Sequence, residues 1–246
     1  MKEKLSFKGA IFDMDGVITK TAKIHARAWK GLFDDFLKGI QGEEYEPFDI
    51  EQDYKRYIDG KPRLEGISSF LVSRDISLEE GNPESEASLD TIHGLGKRKN
   101  ESFLQLLEKE GAEVYLDTIE VVKRWKGKMK LAVISSSKNC KHIMESAGVL
   151  DLFDIRVDGI TSEKKNLKGK PEPDIFFEAS KLMGIEPAHC LVFEDAIAGV
   201  KAGKKGEFGL VIGVARDGEQ EALINSGADF VVESLENIDE KIKSYA

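Results

Sequence analysis

Two carboxylates stand two residues apart where an apolar run gives out. Lys8-Gly9-Ala10-Ile11-Phe12 leads straight into Asp13-Met14-Asp15-Gly16-Val17, which reads as a short buried strand ending in a loop, with Asp13 at the strand end and Asp15 inside the loop. A carboxylate is a weak nucleophile, yet an adequate one toward phosphorus when magnesium neutralises the phosphoryl oxygens. The acyl phosphate so formed is reactive enough to turn over. With Asp13 as nucleophile, Asp15 is left to exchange a proton with the attacking or leaving oxygen. The bland alternative is a loop whose Asp-Gly pair merely turns the chain, and spacing alone does not separate the two.

Other apolar runs end the same way. Residues 131–134 stop at Ser135-Ser136-Ser137, residues 191–193 at Glu194-Asp195, and residues 210–214 before Arg216-Asp217-Gly218. Between them lie helical patterns at about 142–147, 174–183, 199–204 and 219–225, several ending at Gly148, Gly184 or Gly227. Strand and helix in alternation predict an α/β fold with a doubly wound parallel sheet, in which ligands bind beyond the carboxyl ends of the strands. All the acidic and hydroxyl residues named above would converge there.

Residues 17–107 differ: they lack repeated apolar strands, are rich in charge, and offer helical candidates at 25–37 and 100–110. They read as an inserted α-helical cap domain, 18–107, leaving 1–17 and 108–246 as the core. A (β/α)8 barrel competes at this length but needs more strands than precede residue 130.

Composition narrows the classes. In 246 residues, 41% hydrophobic and 33% charged, there is core enough for a large domain plus a smaller one. The formal charge of -9 argues against a nucleic-acid or anionic-membrane surface, so any phosphate site must be local. The two cysteines, Cys140 and Cys190, have no CxxC spacing and suggest neither a disulfide framework nor a zinc site. With no signal peptide or membrane span in view, the expectation is a cytoplasmic protein, with a monomer as the starting assumption.

Phe12-Asp13-Met14-Asp15-Gly16-Val17-Ile18-Thr19 resembles the first motif of the haloacid dehalogenase superfamily, whose members form an aspartyl-phosphate intermediate on a Rossmann-like core. Three further motifs match in order. Ser135 resembles the hydroxyl residue that binds the transferring phosphoryl group, and Ser136 and Asn139 join it in the implied phosphate-binding set. Lys170, in Gly169-Lys170-Pro171-Glu172-Pro173-Asp174, resembles the lysine that pairs nucleophile with phosphate. Glu194-Asp195 resembles the acidic pair that holds magnesium, so the resemblance implies Mg2+ held by Asp13, Glu194, Asp195 and the Asp15 carbonyl. Singly, each segment is as readily a turn, a loop or a solvated helix start; their order makes the set specific.

The stretch Thr19-Lys20-Thr21-Ala22 through His25-Ala26-Arg27-Ala28-Trp29-Lys30 resembles the β-phosphoglucomutase branch, whose threonine and histidine near the acid/base aspartate match Thr21 and His25. Packing between cap and core is the equal alternative for His25. Gly60-Lys61-Pro62-Arg63 resembles a cap loop whose arginine holds a distal phosphate. Lys97-Arg98-Lys99-Asn100 resembles a cap segment whose lysine, here Lys99, contacts a sugar phosphate, or else is a solvated helix start. A mutase must hold a bisphosphate and therefore needs a second cationic site, for which guanidinium is well suited. Lys20 stands where this branch commonly has Asp, Ala196 stands where serine is usual, and the cap is lengthened around 41–57 and 80–92. The implied partner is a small phosphorylated sugar. The resemblance leaves open a mutase acting on β-glucose 1-phosphate, a phosphomonoester hydrolase and, more remotely, a dehalogenase or a non-catalytic phosphosugar-binding protein.

Overall fold

The computed structural model describes residues 6–59, 61–216 and 218–245. Gly60 and Asp217, read from the sequence as loop residues, lie outside the described residues, as does the Met1-Lys2-Glu3-Lys4 start. Two compact units result, Met1–Lys20 with Ala112–Ala246, and Thr21–Gly111.

In chain order the elements are β1 (Gly9–Asp13), α1 (Ala22–Gln41), α2 (Arg63–Ser73), α3 (Ile92–Glu110), α4 (Leu116–Trp125), β2 (Lys130–Ile134), α5 (Cys140–Ser146), β3 (Ile155–Val157), α6 (Gly159–Lys165), α7 (Asp174–Met183), β4 (Cys190–Glu194), α8 (Ile197–Lys205), β5 (Leu210–Val214), α9 (Gln220–Asn225), β6 (Phe230–Val232) and α10 (Ile238–Lys243). Short 3-10 turns and one π-helical turn, Tyr54–Ile58, fill some of the links.

The first unit is built on one parallel sheet of six strands in the order β3-β2-β1-β4-β5-β6. It is open, with β3 and β6 as its edges, which excludes the barrel. All five residues of β1 are buried, as are those of β4 and β5, because a parallel sheet is covered on both faces. One layer packs Ile175, Phe176, Ala179 and Met183 of α7 against Ile11, Ala132 and Val192. On the other, Phe12 stacks on Phe193 at 4.6 Å and meets Trp125 at 6.2 Å. Each of the larger aliphatic and phenyl side chains buried here contributes roughly 1.5–3 kcal/mol.

The second unit is helical. Ala28, Trp29, Leu32, Phe33, Phe36 and Leu37 line one face of α1, and Phe33, Phe48 and Phe70 form an aromatic cluster with centroids 4.1–5.1 Å apart. Arg63, expected in a loop, is the first residue of α2, and Lys99 lies well inside α3 rather than at a solvated helix start. Thr91 caps α3 by accepting from the Gly94 amide at 3.0 Å, eight residues before Lys99, so the helix begins earlier than its apolar pattern suggests. Among the described residues no helix is long and apolar enough to cross a membrane.

Candidate active site

Register fixes the first part of the site. Asp13 is the partner of Ile134 across β1 and β2, and the Met14 amide donates to the Ile134 carbonyl at 3.0 Å, so Asp13 and Ser135 leave the sheet side by side. Phe12 is paired with Phe193 on the other flank, which brings Glu194 and Asp195 to the same end. Asp13 is 7% exposed, Ser135 2% and Glu194 0%.

Lys170, which precedes a cis peptide to Pro171, joins the strand ends. Its buried ammonium donates to Asp13 Oδ1 and to Glu194 Oε1, each at 2.6 Å. Burial raises the Asp13 carboxyl above its ordinary range, although Lys170 and the Met14 and Asp15 amides oppose the shift. Burial and the neighbouring Asp13 push Glu194 up as well. For Lys170, burial works against the ammonium, but the two carboxylates outweigh it and hold the group above the usual lysine range.

Asp13, Glu194 and Asp195 each offer a carboxylate oxygen, and these lie within 4.8 Å of one another. Fully ionised, three carboxylates against one ammonium carry two net negative charges, which one divalent cation neutralises. Glu194 Oε2 is buried with no hydrogen-bond partner among the described residues, an expensive state that a cation relieves. An all-oxygen, anionic donor set suits a hard ion such as Mg2+. The Asp15 carboxylate is not in this group.

Two glycines make the arrangement possible. Gly16 has φ of 78°, and a Cβ there would lie 1.7 Å from Asp195 Oδ2. A Cβ on Gly199, in the first turn of α8, would lie 1.4 Å from Glu194 Oε1 and 2.3 Å from its Cγ. Gly199 stands out in sequence only as a residue of a helical pattern, because a tertiary close approach leaves no local signal.

The loop after β1 closes on itself. Thr19 N and Thr19 Oγ1 both donate to the Met14 carbonyl, at 2.8 and 3.2 Å, and the Gly16 amide donates to the Thr19 carbonyl at 2.9 Å. Beyond β2, the Ser137 amide donates to Ser135 Oγ at 3.0 Å and the Asn139 amide to Ser137 Oγ at 3.1 Å, so hydroxyls shape this loop from within. Ser136 is exposed and Asn139 half-buried.

The remaining candidates belong to the second unit. Thr21 is fully buried at the start of α1 and accepts the His25 amide on its carbonyl at 2.9 Å. His25 stacks on Phe103 at 4.0 Å, and its Nδ1 lies 2.7 Å from Lys99 Nζ, so the neutral ring accepts from the ammonium there. Burial, then the charges of Lys99 and Arg63, hold His25 well below its ordinary range. Lys99 is 3% exposed, with its ammonium over Trp29 and Phe103 at 5.0 and 4.8 Å. Arg63 donates to the Gly96 carbonyl at 3.2 Å and to Asn100 Oδ1 at 2.9 Å. Thr21, His25, Lys99 and Arg63 thus form a set within one unit, and Asp13, Asp15, Ser135, Ser136, Asn139, Lys170, Glu194 and Asp195 a set within the other.

The sequence profile of haloacid dehalogenase-like hydrolases matches residues 7–206. A β-phosphoglucomutase of Mycobacterium bovis is 39% identical over 240 residues, covering 93% of this chain and 90% of that protein. A fructose-1-phosphate phosphatase of Escherichia coli is 28% identical, covering 80% of this chain and 92% of that one. A crystal structure of β-phosphoglucomutase from Clostridium difficile superposes with a TM-score of 0.78 at 25% identity, covering 97% of this chain and 96% of the other.

Proposed function

Because the chain belongs to the haloacid dehalogenase-like hydrolase family, and is an enzyme of its phosphotransferase or phosphatase kind, we propose that it is a β-phosphoglucomutase. It converts β-glucose 1-phosphate to glucose 6-phosphate through a phosphorylated Asp13. The observation that carries this reading is the 39% identity to a β-phosphoglucomutase over nearly the whole of both chains. The clustered Asp13, Lys170, Glu194 and Asp195 side chains support the chemistry that the reading needs.

Asp13, Glu194, Asp195 and the Asp15 carbonyl would hold Mg2+, which when bound offsets the negative charge of the phosphoryl oxygens. Phospho-Asp13 gives its phosphoryl group to the sugar's 6-hydroxyl: the new O–P bond forms, the acyl O–P bond breaks, and Asp15 takes the hydroxyl proton. The bisphosphate turns end for end. Asp13 then attacks the phosphorus on C1, and Asp15 returns the proton to the departing sugar oxygen. Lys170 and Ser135 bind the transferring group, with Ser136 and Asn139 in the same loop. Lys170 also opposes the rise that burial imposes on the Asp13 carboxyl. Arg63 and Lys99 bind the phosphate not being transferred, and Thr21 and His25 act alongside Asp15.

A phosphatase is the second reading, favoured by the likeness to the fructose-1-phosphate phosphatase. It shares every core residue, and Asp15 then activates water to release phosphate from Asp13. A coupled assay with magnesium, β-glucose 1-phosphate and a trace of the 1,6-bisphosphate separates them. Glucose 6-phosphate with little free phosphate is the expected result, and free phosphate as the main product would overturn the mutase in favour of the hydrolase.

A further inference from the structure

The proposed mechanism gives no task to a buried hydrogen-bonded chain behind the β1 loop. Thr118, fully buried on α4, donates through Oγ1 to the Val17 carbonyl at 2.8 Å. Its hydroxyl oxygen in turn accepts from Arg216 Nη2 at 2.9 Å. Arg216 Nη1 donates to Asp117 Oδ2 at 2.7 Å and to the Glu233 carbonyl at 2.9 Å, and the guanidinium lies 4.2 Å from the Tyr115 ring centroid. Asp117 Oδ2 also accepts from Ser234 Oγ at 3.0 Å and the Leu235 amide at 2.8 Å. The loops after β5 and β6 are thereby tied to the first turn of α4, and α4 to the loop that carries Asp15.

Val17 sits midway through that loop, between the carboxylates and the point where the chain leaves the first unit at Lys20. The chain returns at Ala112, and the two crossings are stitched together by Lys20 N to the Glu113 carbonyl at 2.9 Å and Tyr115 N to the Ile18 carbonyl at 2.9 Å. Within the loop, turn hydrogen bonds tie Met14, Gly16, Ile18 and Thr19 to one another, and the Asp15 amide bonds to the Asp13 carboxylate. The Thr118 hydroxyl adds a side-chain anchor from the packed helix α4 to the Val17 carbonyl, next to the main-chain bond of Tyr115 to Ile18. A hydroxyl that both donates and accepts is polarised by the guanidinium, which strengthens its bond to the carbonyl.

We infer that Thr118, Arg216 and Asp117 are positioning residues that hold the Val17 carbonyl, and through it the backbone bearing Asp15, in the geometry required for proton transfer. The inference rests on the proposed role of Asp15 as general acid and base. None of the three touches substrate. Their effect falls on kcat, because proton transfer by Asp15 matters in the transition state and not in ground-state binding.

Thr118→Val keeps shape and volume but removes both hydrogen bonds, whereas Thr118→Ser keeps the hydroxyl. The expected result is a kcat about tenfold lower in Thr118→Val with KM within about twofold of wild type, and recovery of most of the rate in Thr118→Ser. Amide exchange at Gly16, Ile18 and Thr19 should be about tenfold faster in Thr118→Val. Equal kcat in the two variants with unchanged loop exchange would overturn the inference, as would a loss confined to KM. If wild type turns over neither β-glucose 1-phosphate nor any small phosphomonoester, the proposed function fails, and the exchange rates still decide whether Thr118 immobilises the loop. Should Thr118→Val not fold, Arg216→Lys, which keeps the charge beside Asp117 but loses the fork to Thr118, is read by the same two measurements.

Discussion

Replacing Gly199 with alanine separates helix propensity from site geometry. In an exposed helix the change would stabilise by about 1 kcal/mol. Here the added methyl falls 1.4 Å from Glu194 Oε1, 2.1 Å from Cδ and 2.3 Å from Cγ, so more than the tip of the side chain is in the way. To reach ordinary contact the carboxylate has to retreat by about 2 Å, and Glu194 is fully buried with no solvent to retreat into. That movement breaks the 2.6 Å ion pair to Lys170. Separating one partner of a buried pair costs about 3–5 kcal/mol, which exceeds the propensity gain and leaves a net loss of roughly 2–4 kcal/mol. For a chain of this size Tm should fall by roughly 4–16 °C. The variant should also bind Mg2+ more weakly and lose turnover, because Glu194 leaves the carboxylate cluster. Thermal unfolding with and without magnesium, calorimetric metal titration and the coupled mutase assay read the three effects. A variant with raised Tm, unchanged metal affinity and full activity would refute the assigned role of Glu194 and the close approach of α8 together.

Asp13→Asn should reduce turnover to background, and mass spectrometry of the protein quenched after exposure to the bisphosphate should show the phosphoryl adduct on wild type alone. Arg63→Ala removes the proposed charge-assisted phosphate contact and should lower mutase activity about 10- to 100-fold while sparing hydrolysis of a small monophosphate; equal losses in the two assays would remove Arg63 from the distal-phosphate role. His25 gives a pH signature. Burial and its cationic neighbours hold the folded-state pKa below the unfolded value near 6.5, so the unfolded chain binds the proton more readily and stability falls as pH drops below about 6.5. The contribution is at most about 1.4 kcal/mol per pH unit, and His25→Gln should flatten denaturant-derived stability between pH 7.5 and 5 relative to wild type. Parallel curves for the two proteins would count against a His25 kept neutral in the fold.

The central sheet is legible in the sequence because β1, β4 and β5 are buried on both faces, and a strand with no solvent face must be an unbroken apolar run. The edge strands β3 and β6 are only three residues long, and Ile155-Arg156-Val157 carries a charge that an edge tolerates, so neither announces itself. Helix α7 reads true from Asp174 to Met183 because its buried residues recur with helical period. Helix α4 does not, since the Asp117 and Thr118 that open it are polar side chains spent on tertiary hydrogen bonds. Asp13, Ser135 and Glu194-Asp195 are readable because each ends a strand pattern. Lys170 lies in no element, and only its resemblance to a known motif singles it out.

The same contrast explains why Gly16 and Gly199 carry as much of the site as the charges do. Four charged groups packed at the end of a buried sheet repel or desolvate one another unless oxygen and nitrogen atoms reach hydrogen-bonding distance, and they reach it here only where backbone stands in for side chain. Asp195 lies against Gly16 in the loop after β1, an approach that a Cβ at that position would block. Glu194 settles over Gly199 at the start of the next helix. A charge is visible in a sequence as a residue type. The space it needs is visible only once the chain has folded, which is why the chemistry of this site can be read before the structure and its tolerances cannot.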